Sequence, residues 1–319
     1  MNTAEVIPIK KLYVSNSSMK IMCPRKFEFY KLYPRTIKPE SDYNTDTGTA
    51  MHIAYQTYLQ TQDSEKAIYA LMKNYPYLQV PDSNNNKSLE ACTAALKEMI
   101  QHEISYVNKL VYLDIDEERK HVPATELAFE IQLTNVNLGT SAKPVSLSYI
   151  GLIDFLLFNK KDREYYVGDI KTHRKSTRDL EMLYKFDQQV TPYGIVLEHI
   201  QKRAIERINA TFLSVYIDLV EPVVREYTFT RTKADIEDWL AALRDWVMRY
   251  REFFKHNYFP RNGGENCMSW NKPCNYNVLC VSRSRDAITK FMTKGDKNIV
   301  WEHQQFKPDV IMQMEVPGL

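Results

Sequence analysis

Long apolar runs are absent from this chain of 319 residues. No uninterrupted apolar stretch reaches the roughly 18 residues that a membrane-spanning helix requires. Residues 1–14 also lack the apolar core and the small-residue cleavage site that mark a secretory leader. These absences exclude a membrane-spanning protein, and we expect a soluble protein of the cytoplasm.

The chain also has few cysteines and little net charge. Five cysteines in an intracellular chain argue against a disulfide framework and favour metal or cluster ligation, or simple burial. Lysine and arginine total 42 against 40 acidic residues, so the formal net charge is only +2. Nucleic-acid binding would therefore depend on a local basic patch rather than on the charge of the whole chain.

The composition is that of a globular protein, with 44% hydrophobic and 12% aromatic residues. A chain of this length buries a substantial core. Its segment 149–173, YIGLIDFLLFNKKDREYYVGDIKTH, has two apolar runs, residues 150–158 and 165–170, which flank a polar stretch. This pattern predicts two buried strands joined by a short turn.

Two carboxylates interrupt the apolar runs of this predicted hairpin. If the turn is centred on Lys161 and Asp162, the antiparallel register places Asp154 opposite Asp169, with Cβ atoms about 5 Å apart. Like charges at that distance repel, so we expect a cation between them. Alternation along the strand also places Asp169 and Lys171 on the same side of the sheet.

Oxygen ligands of this kind suit a hard divalent cation that activates water and absorbs charge on a phosphate. A nearby lysine can orient the water and offset the developing negative charge. Asp-x-Lys on its own is common at solvated strand edges, so the assignment needs support from other residues.

Two further segments offer candidate metal ligands. His52 lies in GTAMHIAYQTYL, a predicted buried helix that begins at Gly48, where a lone histidine is more often a core residue than a ligand. The segment TELAFEIQL alternates as a strand and carries Glu126 and Glu130. Either glutamate could reach the metal or simply lie at the surface.

The residues that follow the hairpin suggest contacts to a phosphate backbone. A basic cluster comes directly after Lys171 and consists of His173, Arg174, Lys175 and Arg178. Residues 187–203 have a helical pattern in which Gln189 and Tyr193 lie at i and i+4, on one face. Pro192 could instead cap or kink this helix.

The other predicted elements have no assigned chemistry. Helices are expected over residues 15–33, with a break at Pro24, and over 64–74, 89–111 and 235–254, whereas residues 34–46 form a loop. The runs ATFLSVYIDL and VVREYTFTRT predict a second hairpin.

Three cysteines, Cys267, Cys274 and Cys280, lie close together in a turn-rich segment. Their spacing, with six and then five intervening residues, differs from the close pairs of a zinc knuckle. An iron-sulfur cluster requires four thiolates and tolerates wider spacing, with Cys23 as the fourth ligand. Iron-sulfur, zinc and unligated thiols all remain open at this point.

In chain order the sequence carries CPRKFEFY, GTAMH, the strand with Glu126, GLID, GDIKT, QVTPY and the three clustered cysteines. Taken together in this order, these motifs resemble the PD-(D/E)XK nuclease superfamily. Within the superfamily they are similar to the RecB-like branch, which includes the AddB nuclease domain and the CRISPR-adaptation exonucleases with an iron-sulfur cluster.

The resemblance implies an α/β fold with a restriction-endonuclease-like core, in which helices flank a central mixed β-sheet. It also implies that Mg²⁺ or Mn²⁺ binds to His52, Asp154, Asp169 and the backbone carbonyl of Ile170. The imidazole favours manganese. By the same resemblance the catalytic residues are Lys171, Asp154, Asp169, Gln189 and Tyr193.

The resemblance further implies a structural 4Fe-4S cluster on Cys23, Cys267, Cys274 and Cys280, with zinc as the lesser possibility. We expect residues 1–319 to form a single nuclease domain. Its parts are an N-terminal segment 1–47, a helical insertion 60–120, a catalytic core 125–256, a cysteine segment 257–285 and a tail 286–319.

The function that the resemblance implies is a metal-dependent DNA exonuclease, acting at DNA ends or in single strands during recombination, repair or phage-type DNA metabolism. No G-x-x-x-x-G-K-[ST] motif is present, so a helicase or recombinase would be supplied by another chain. The alternatives are a non-catalytic DNA-binding scaffold and a structure-specific endonuclease on the same fold.

Overall fold

Strands from the middle of the sequence form a mixed β-sheet with flanking helices, so the predicted α/β fold class is confirmed. The computed structural model describes residues 11–21, 23–32, 43–77, 87–102, 110–114, 121–137, 143–161, 163–173, 180–202, 204–269, 272–274, 276–282 and 311–315. None of the helices in these ranges combines the length and the apolar character that a bilayer crossing requires.

Helices occur before, between and after the strands. In chain order they are α1 (Asn16–Met19), α2 (Pro24–Leu32), α3 (Tyr43–Thr61), α4 (Ser64–Asn74), α5 (Leu89–His102), α6 (Leu180–Lys185), α7 (Tyr193–Gln201), α8 (Lys233–His256) and α9 (Asn277–Ser282). Short 3-10 helices span Gln188–Val190 and Gly264–Cys267.

The strands belong to one large sheet and two small ones. In chain order they are β1 (Lys11–Val14), β2 (Tyr112–Asp114), β3 (His121–Pro123), β4 (Thr125–Val136), β5 (Val145–Asn159), β6 (Glu164–His173), β7 (Arg207–Tyr216), β8 (Val223–Thr232), β9 (Met268–Ser269), β10 (Lys272–Pro273) and β11 (Ile311–Glu315).

The large sheet has the order β11-β4-β5-β6-β7-β8, with β1 paired to β5. Strands β5 and β6 are antiparallel, as are β7 and β8, whereas β6 and β7 are parallel. The antiparallel pairs are the two hairpins that the sequence predicts. Because β6 and β7 are parallel, the chain needs a crossover between them, and α6 and α7 lie in that crossover.

The chain divides into two units by its internal contacts. Unit 1 comprises residues 1–40, 128–151 and 240–319, and unit 2 comprises residues 41–127 and 152–239. The prediction of a single domain over residues 1–319, with its inner boundaries, stays a prediction.

The core of unit 2 lies between helices α3, α4 and α5 and the strands β5, β6 and β7. Buried apolar side chains from all of these elements form one cluster, which includes Tyr55, Leu71, Leu96, Phe155 and Leu213. Helix α4 illustrates the local signals, since Asp63 caps its first turn by accepting from the N–H groups of Glu65 and Lys66.

The core of unit 1 is aromatic. Phe27 of α2 packs edge-on against Tyr250 of α8, with ring centroids 4.6 Å apart, and Trp246 stacks on Tyr250 at 4.1 Å. These rings come from the stripe of apolar residues that predicts helix 235–254, and α8 spans Lys233–His256. The predicted amphipathic helix is therefore confirmed, one turn or less from its expected ends.

The structure corrects three predicted boundaries. Helix α3 begins at Tyr43, so residues 43–46 are helical rather than part of the predicted loop 34–46. Helix α5 ends at His102, short of the predicted end at 111, and Leu110 makes a β-bridge with Leu157. The predicted helix 187–203 is divided into the 3-10 helix Gln188–Val190 and α7, because Pro192 becomes the N-cap of α7.

Candidate active site and metal centre

The hairpin of β5 and β6 has the predicted register. Phe155 pairs with Gly168 and Asn159 pairs with Glu164, so the same register places Asp154 opposite Asp169. A Cβ atom at Gly168 would lie 1.9 Å from the ring of Phe155, and this close approach explains why glycine precedes Asp169. The hairpin thus fixes two carboxylates opposite each other.

Asp154 also joins the two strands directly. Its Oδ2 accepts a hydrogen bond from the backbone N–H of Ile170 at 2.6 Å, and the side chain is buried. This bond orients the carboxylate toward β6. The role of the Ile170 carbonyl as a metal ligand stays a prediction.

Asp169, Lys171 and Gln189 form a closed set of polar contacts. Nζ of Lys171 lies 2.6 Å from Oδ2 of Asp169, as expected for side chains on one face of a strand. Gln189 donates from Nε2 to Oδ1 of Asp169 at 2.7 Å, and its Oε1 accepts from Nζ of Lys171 at 2.8 Å. One amide therefore fixes both charged side chains.

Burial determines the electrostatics of this pair. Asp169 is 1% exposed, and burial raises its pKa to about 6, a shift that Lys171 opposes and Asp154 reinforces. Burial lowers the pKa of Lys171, but Asp169 outweighs this effect, so the net shift is upward. The ammonium form of Lys171 is therefore the stable one at neutral pH.

The second part of the site is a group of three ligand-type side chains, His52 of α3, Glu126 of β4 and Asp154 of β5. Their ligand atoms all lie within 4.8 Å of one another, and this is the only such group among the residues that the structure describes. Nδ1 of His52 lies 3.4 Å from Oδ2 of Asp154. Burial, followed by Asp154 and Asp169, raises the pKa of Glu126 to about 8.

These residues fit a divalent cation. Oδ2 of Asp169 is buried and is contacted by the ammonium of Lys171 at 2.6 Å, and a carboxylate oxygen has a second lone pair that can accept a cation. Burial raises the pKa values of Glu126 and Asp169, and the charge of Asp154 adds to both shifts. Carboxylate oxygens with one imidazole suit Mn²⁺ or Mg²⁺, and the imidazole favours manganese.

Glu126 is the residue that sequence reasoning left undecided. Its backbone has φ of +50°, in the left-handed region, at the start of β4, and no sequence pattern indicates this conformation. Glu130, the other candidate, lies in unit 1 and pairs with Lys11 at 2.5 Å. The structure thus groups Glu126 with the other candidate metal ligands.

Hydrogen bonds with two side chains hold the backbone around Gln189, and no sequence pattern indicated them. Asp187 accepts from the backbone N–H of Gln189 at 2.9 Å. The buried Arg231 of β8 donates from Nη2 to the carbonyls of Tyr184 and Asp187, both at 3.1 Å. These bonds hold the segment in the position from which Gln189 reaches Asp169.

Tyr193 lies apart from these ion pairs. Its hydroxyl donates to the backbone carbonyl of Leu152 at 2.7 Å, two residues before Asp154. Gln189 and Tyr193 were predicted to share one helix face, but they lie on different helices. Both nevertheless contact the hairpin of β5 and β6.

Of the predicted basic cluster, only His173 lies within the described residues, whereas Arg174, Lys175 and Arg178 lie outside them. Nε2 of His173 contacts the hydroxyl of Tyr184. Burial, reinforced by Lys87 and Lys171, lowers the pKa of His173 to about 4, so the imidazole is neutral at physiological pH. A contact from His173 to DNA would therefore be a hydrogen bond rather than an ion pair.

Three of the four predicted cluster cysteines are neighbours in unit 1. Cys23 is buried, and burial followed by the thiols of Cys23 and Cys274 raises the pKa of Cys280. Cys274 and Cys280 pack against the buried Phe29, Tyr276 and Leu279. Cys267 is exposed, and its carbonyl accepts from the N–H of Cys274 at 2.8 Å. Ligation of a cluster or of zinc by this quartet stays a prediction.

Comparison with known proteins identifies a family. A family model described as PD-(D/E)XK nuclease superfamily matches residues 15–281, which is most of the chain. A crystal structure of a "Putative exonuclease" from Eubacterium rectale is 13% identical, with a TM-score of 0.46, and the match covers 84% of this chain and 92% of that one. The crystal structure of SSO0001 is also 13% identical, with a TM-score of 0.29 and coverage of 77% and 79%. No curated protein matches the chain in sequence.

Proposed function

The chain belongs to the PD-(D/E)XK nuclease superfamily, and from this premise we propose that it is a divalent-metal-dependent deoxyribonuclease that hydrolyses phosphodiester bonds. The observation that carries the proposal is the arrangement around Asp154. This residue lies in the group with His52 and Glu126, and the register of β5 and β6 places it opposite Asp169, which pairs with Lys171.

We propose that His52, Asp154 and Asp169 hold the metal, with Glu126 and the carbonyl of Ile170 as additional ligands. Mn²⁺ or Mg²⁺ bound there would act as a Lewis acid on the phosphate and would increase the acidity of a bound water. His52 supplies the only nitrogen in this set, which supports a preference for manganese.

Lys171 is proposed to orient the attacking water and to stabilise the negative charge that develops on the phosphate. Asp169 supports this role because it keeps Lys171 protonated, so the ammonium acts as a charge stabiliser rather than as a base. Gln189 holds the two charged groups in one geometry, and Tyr193 supports the strand that carries Asp154.

We further propose exonuclease action on DNA ends or single strands, in recombination, repair or phage-type DNA metabolism. The similarity of the motifs to the RecB-like branch supports this finer assignment. The same similarity supports a structural 4Fe-4S cluster, or zinc, on Cys23, Cys267, Cys274 and Cys280. A helicase or recombinase on another chain would supply unwinding.

The test is cleavage of labelled single- and double-stranded DNA in Mn²⁺ by the wild type, Asp169→Ala and Lys171→Ala. The matched controls are Asp238→Ala on the exposed side of α8 and Lys161→Ala in the exposed turn of the same hairpin. We expect both site variants to lose cleavage and both controls to keep it. Unchanged cleavage by the site variants would remove the assignment.

Two rival functions predict different results in DNA-cleavage assays. A non-catalytic DNA-binding protein would bind DNA and leave it intact with every divalent metal. An endonuclease would cut circular single-stranded DNA, which a strict exonuclease leaves whole.

A further inference from the structure

A cavity of about 510 Å³ opens beside helix α3, in unit 2. Its volume lies within the range of about 300–1,000 Å³ that is typical of small-molecule sites. The lining side chains come from one stripe of α3, from the last residue of α4 and from the three residues that follow it. They are Asp46, Thr49, Ile53, Asn74, Tyr75, Pro76 and Tyr77. None of them takes part in the metal group or in the Asp169–Lys171 pair.

The chemistry of the lining disfavours a phosphate. Asp46 is the one side chain among these lining residues that is charged at neutral pH, and its carboxylate repels anions. The remaining groups are two phenol rings, an amide, a hydroxyl, an aliphatic chain and a proline. Aromatic faces together with amide, hydroxyl and carboxylate groups are the set that recognises a planar, hydrogen-bonding ring.

The two aromatic side chains of the lining, Tyr75 and Tyr77, are held by local structure. Pro76 disfavours helical backbone at Tyr75, so α4 ends at Asn74 and Tyr75 is extended, with φ of −67° and ψ of 137°. The hydroxyl of Tyr75 donates to the carbonyl of Lys87 at 2.8 Å. Tyr77 donates its N–H to the carbonyl of Tyr75 at 2.9 Å, and the two rings meet edge to face at 5.1 Å.

Tyr77 is therefore held in place while 49% of its surface stays exposed. An aromatic ring that is both fixed and exposed has little conformational entropy to lose when another ring stacks on it. Nucleobases stack on such rings in many proteins that bind single strands.

The cavity adjoins the proposed active site through α3. Thr49 precedes His52 by three residues, which corresponds to about 4.5 Å along the helix axis, and Ile53 follows His52 directly. A ring bound in the cavity would therefore belong to a strand that crosses the same helix as the metal group.

We infer that this cavity binds one unpaired nucleobase of the DNA substrate, with Tyr77 as the stacking surface. The oxygen acceptors of Thr49 and Asn74 face its polar edge, since their donors already bond to the carbonyls of Thr45 and Ala70. A base inside a duplex is already stacked and paired, so its polar edge is not available. The nucleotide that the cavity holds is thus single-stranded. This inference rests on the proposed nuclease function, because it takes DNA as the ligand.

The test measures binding without cleavage, by fluorescence anisotropy in EDTA. The probes are a labelled oligo(dA) strand, an abasic strand of the same length and a duplex. We expect Tyr77→Ala to weaken binding of oligo(dA) by about tenfold, and Tyr77→Phe to keep it, because the ring face remains. Binding of the abasic strand and the duplex should be equal in wild type and Tyr77→Ala.

The matched control is Tyr69→Ala, an exposed tyrosine of α4 outside the lining, which should bind as the wild type does. Equal affinity of Tyr77→Ala and wild type for oligo(dA), or an equal loss on the abasic strand, would overturn the inference. Either result would leave the nuclease proposal intact if wild type still cleaves DNA. Conversely, the binding pattern would stand even if wild type failed to cleave.

Discussion

Gln189 donates a hydrogen bond from Nε2 to Oδ1 of Asp169 at 2.7 Å, which connects a short 3-10 helix to the strand at the centre of the site. The other end of the same amide accepts from Lys171. A carboxamide carries a donor and an acceptor in one planar group, so it satisfies an anion and a cation at once.

Replacement of Gln189 by glutamate therefore tests this bridge. The variant keeps the size of the side chain but loses the donor, and its charge repels Asp169. We expect kcat to fall by about 10- to 100-fold, as is typical when a group that orients ligands is removed. The measurement is single-turnover cleavage in Mn²⁺. Gln188→Glu on the same 3-10 helix is the control, and equal rates in the two variants would contradict the proposed bridge.

Arg231 acts on the site through the backbone that carries Gln189. Its substitution by methionine removes the donor to two carbonyls, at a cost of about 1–3 kcal/mol for buried groups left unpaired. We expect kcat to fall while KM changes little, and Arg231→Lys to restore part of the loss. Arg225→Met, at an exposed position of the same strand, should behave as wild type. A loss of stability in Arg231→Met without any change in kcat would show a purely structural role.

The pKa values of Glu126 and Asp169 predict how stability depends on pH in the absence of metal. Both are raised, from 4.5 to about 8 and from 3.8 to about 6, so the folded state holds more protons than the unfolded state between these values. Stability then falls as pH rises through this window. We expect the Tm in EDTA to decrease from about pH 5 to about pH 8, because the carboxylates ionise in a buried cluster.

Mn²⁺ should reverse this trend, since it binds the deprotonated carboxylates and stabilises the folded state most at high pH. Glu126→Gln, which cannot ionise, should show a flatter profile in EDTA. If the Tm of wild type in EDTA rises with pH across the window, the assigned pKa shifts are wrong.

The cysteine prediction has a direct optical test. Anaerobically purified wild type is expected to be brown, with the broad visible absorption of an iron-sulfur cluster. Cys23→Ser and Cys280→Ser should lose this absorption, whereas Cys92→Ala, in the core of unit 2, should keep it. A colourless wild type that contains zinc would assign the quartet to zinc instead.

The elements that the sequence predicts best are those with a strong local period. Alternation and a short polar turn were sufficient for the hairpin, including the register that places Asp154 opposite Asp169. Helix α8 followed from its apolar stripe. In each case the residues that form the pattern are close in sequence, so the pattern alone was enough to predict the element.

The features that the sequence did not predict depend on distant contacts or on single backbone angles. Arg231 holds the backbone at Tyr184 and Asp187 across more than forty residues of sequence, and no periodicity connects them. Glu126 belongs to the metal group and has a positive φ, which glutamate rarely adopts. The helix predicted over residues 187–203 is interrupted at Pro192, which is the N-cap of α7 and not an interior residue.

DNA cleavage by Asp154→Asn tests most directly whether the proposed metal centre carries out the reaction. Asparagine keeps an oxygen that can accept from Ile170, so the hairpin contact is retained while one ligand charge is lost. The measurement is the cleavage rate of labelled DNA as Mn²⁺ is titrated. We predict a saturable dependence on Mn²⁺ for wild type and loss of cleavage in the variant. Cleavage by wild type in EDTA, or the same titration curve for both proteins, would contradict a metal centre at Asp154.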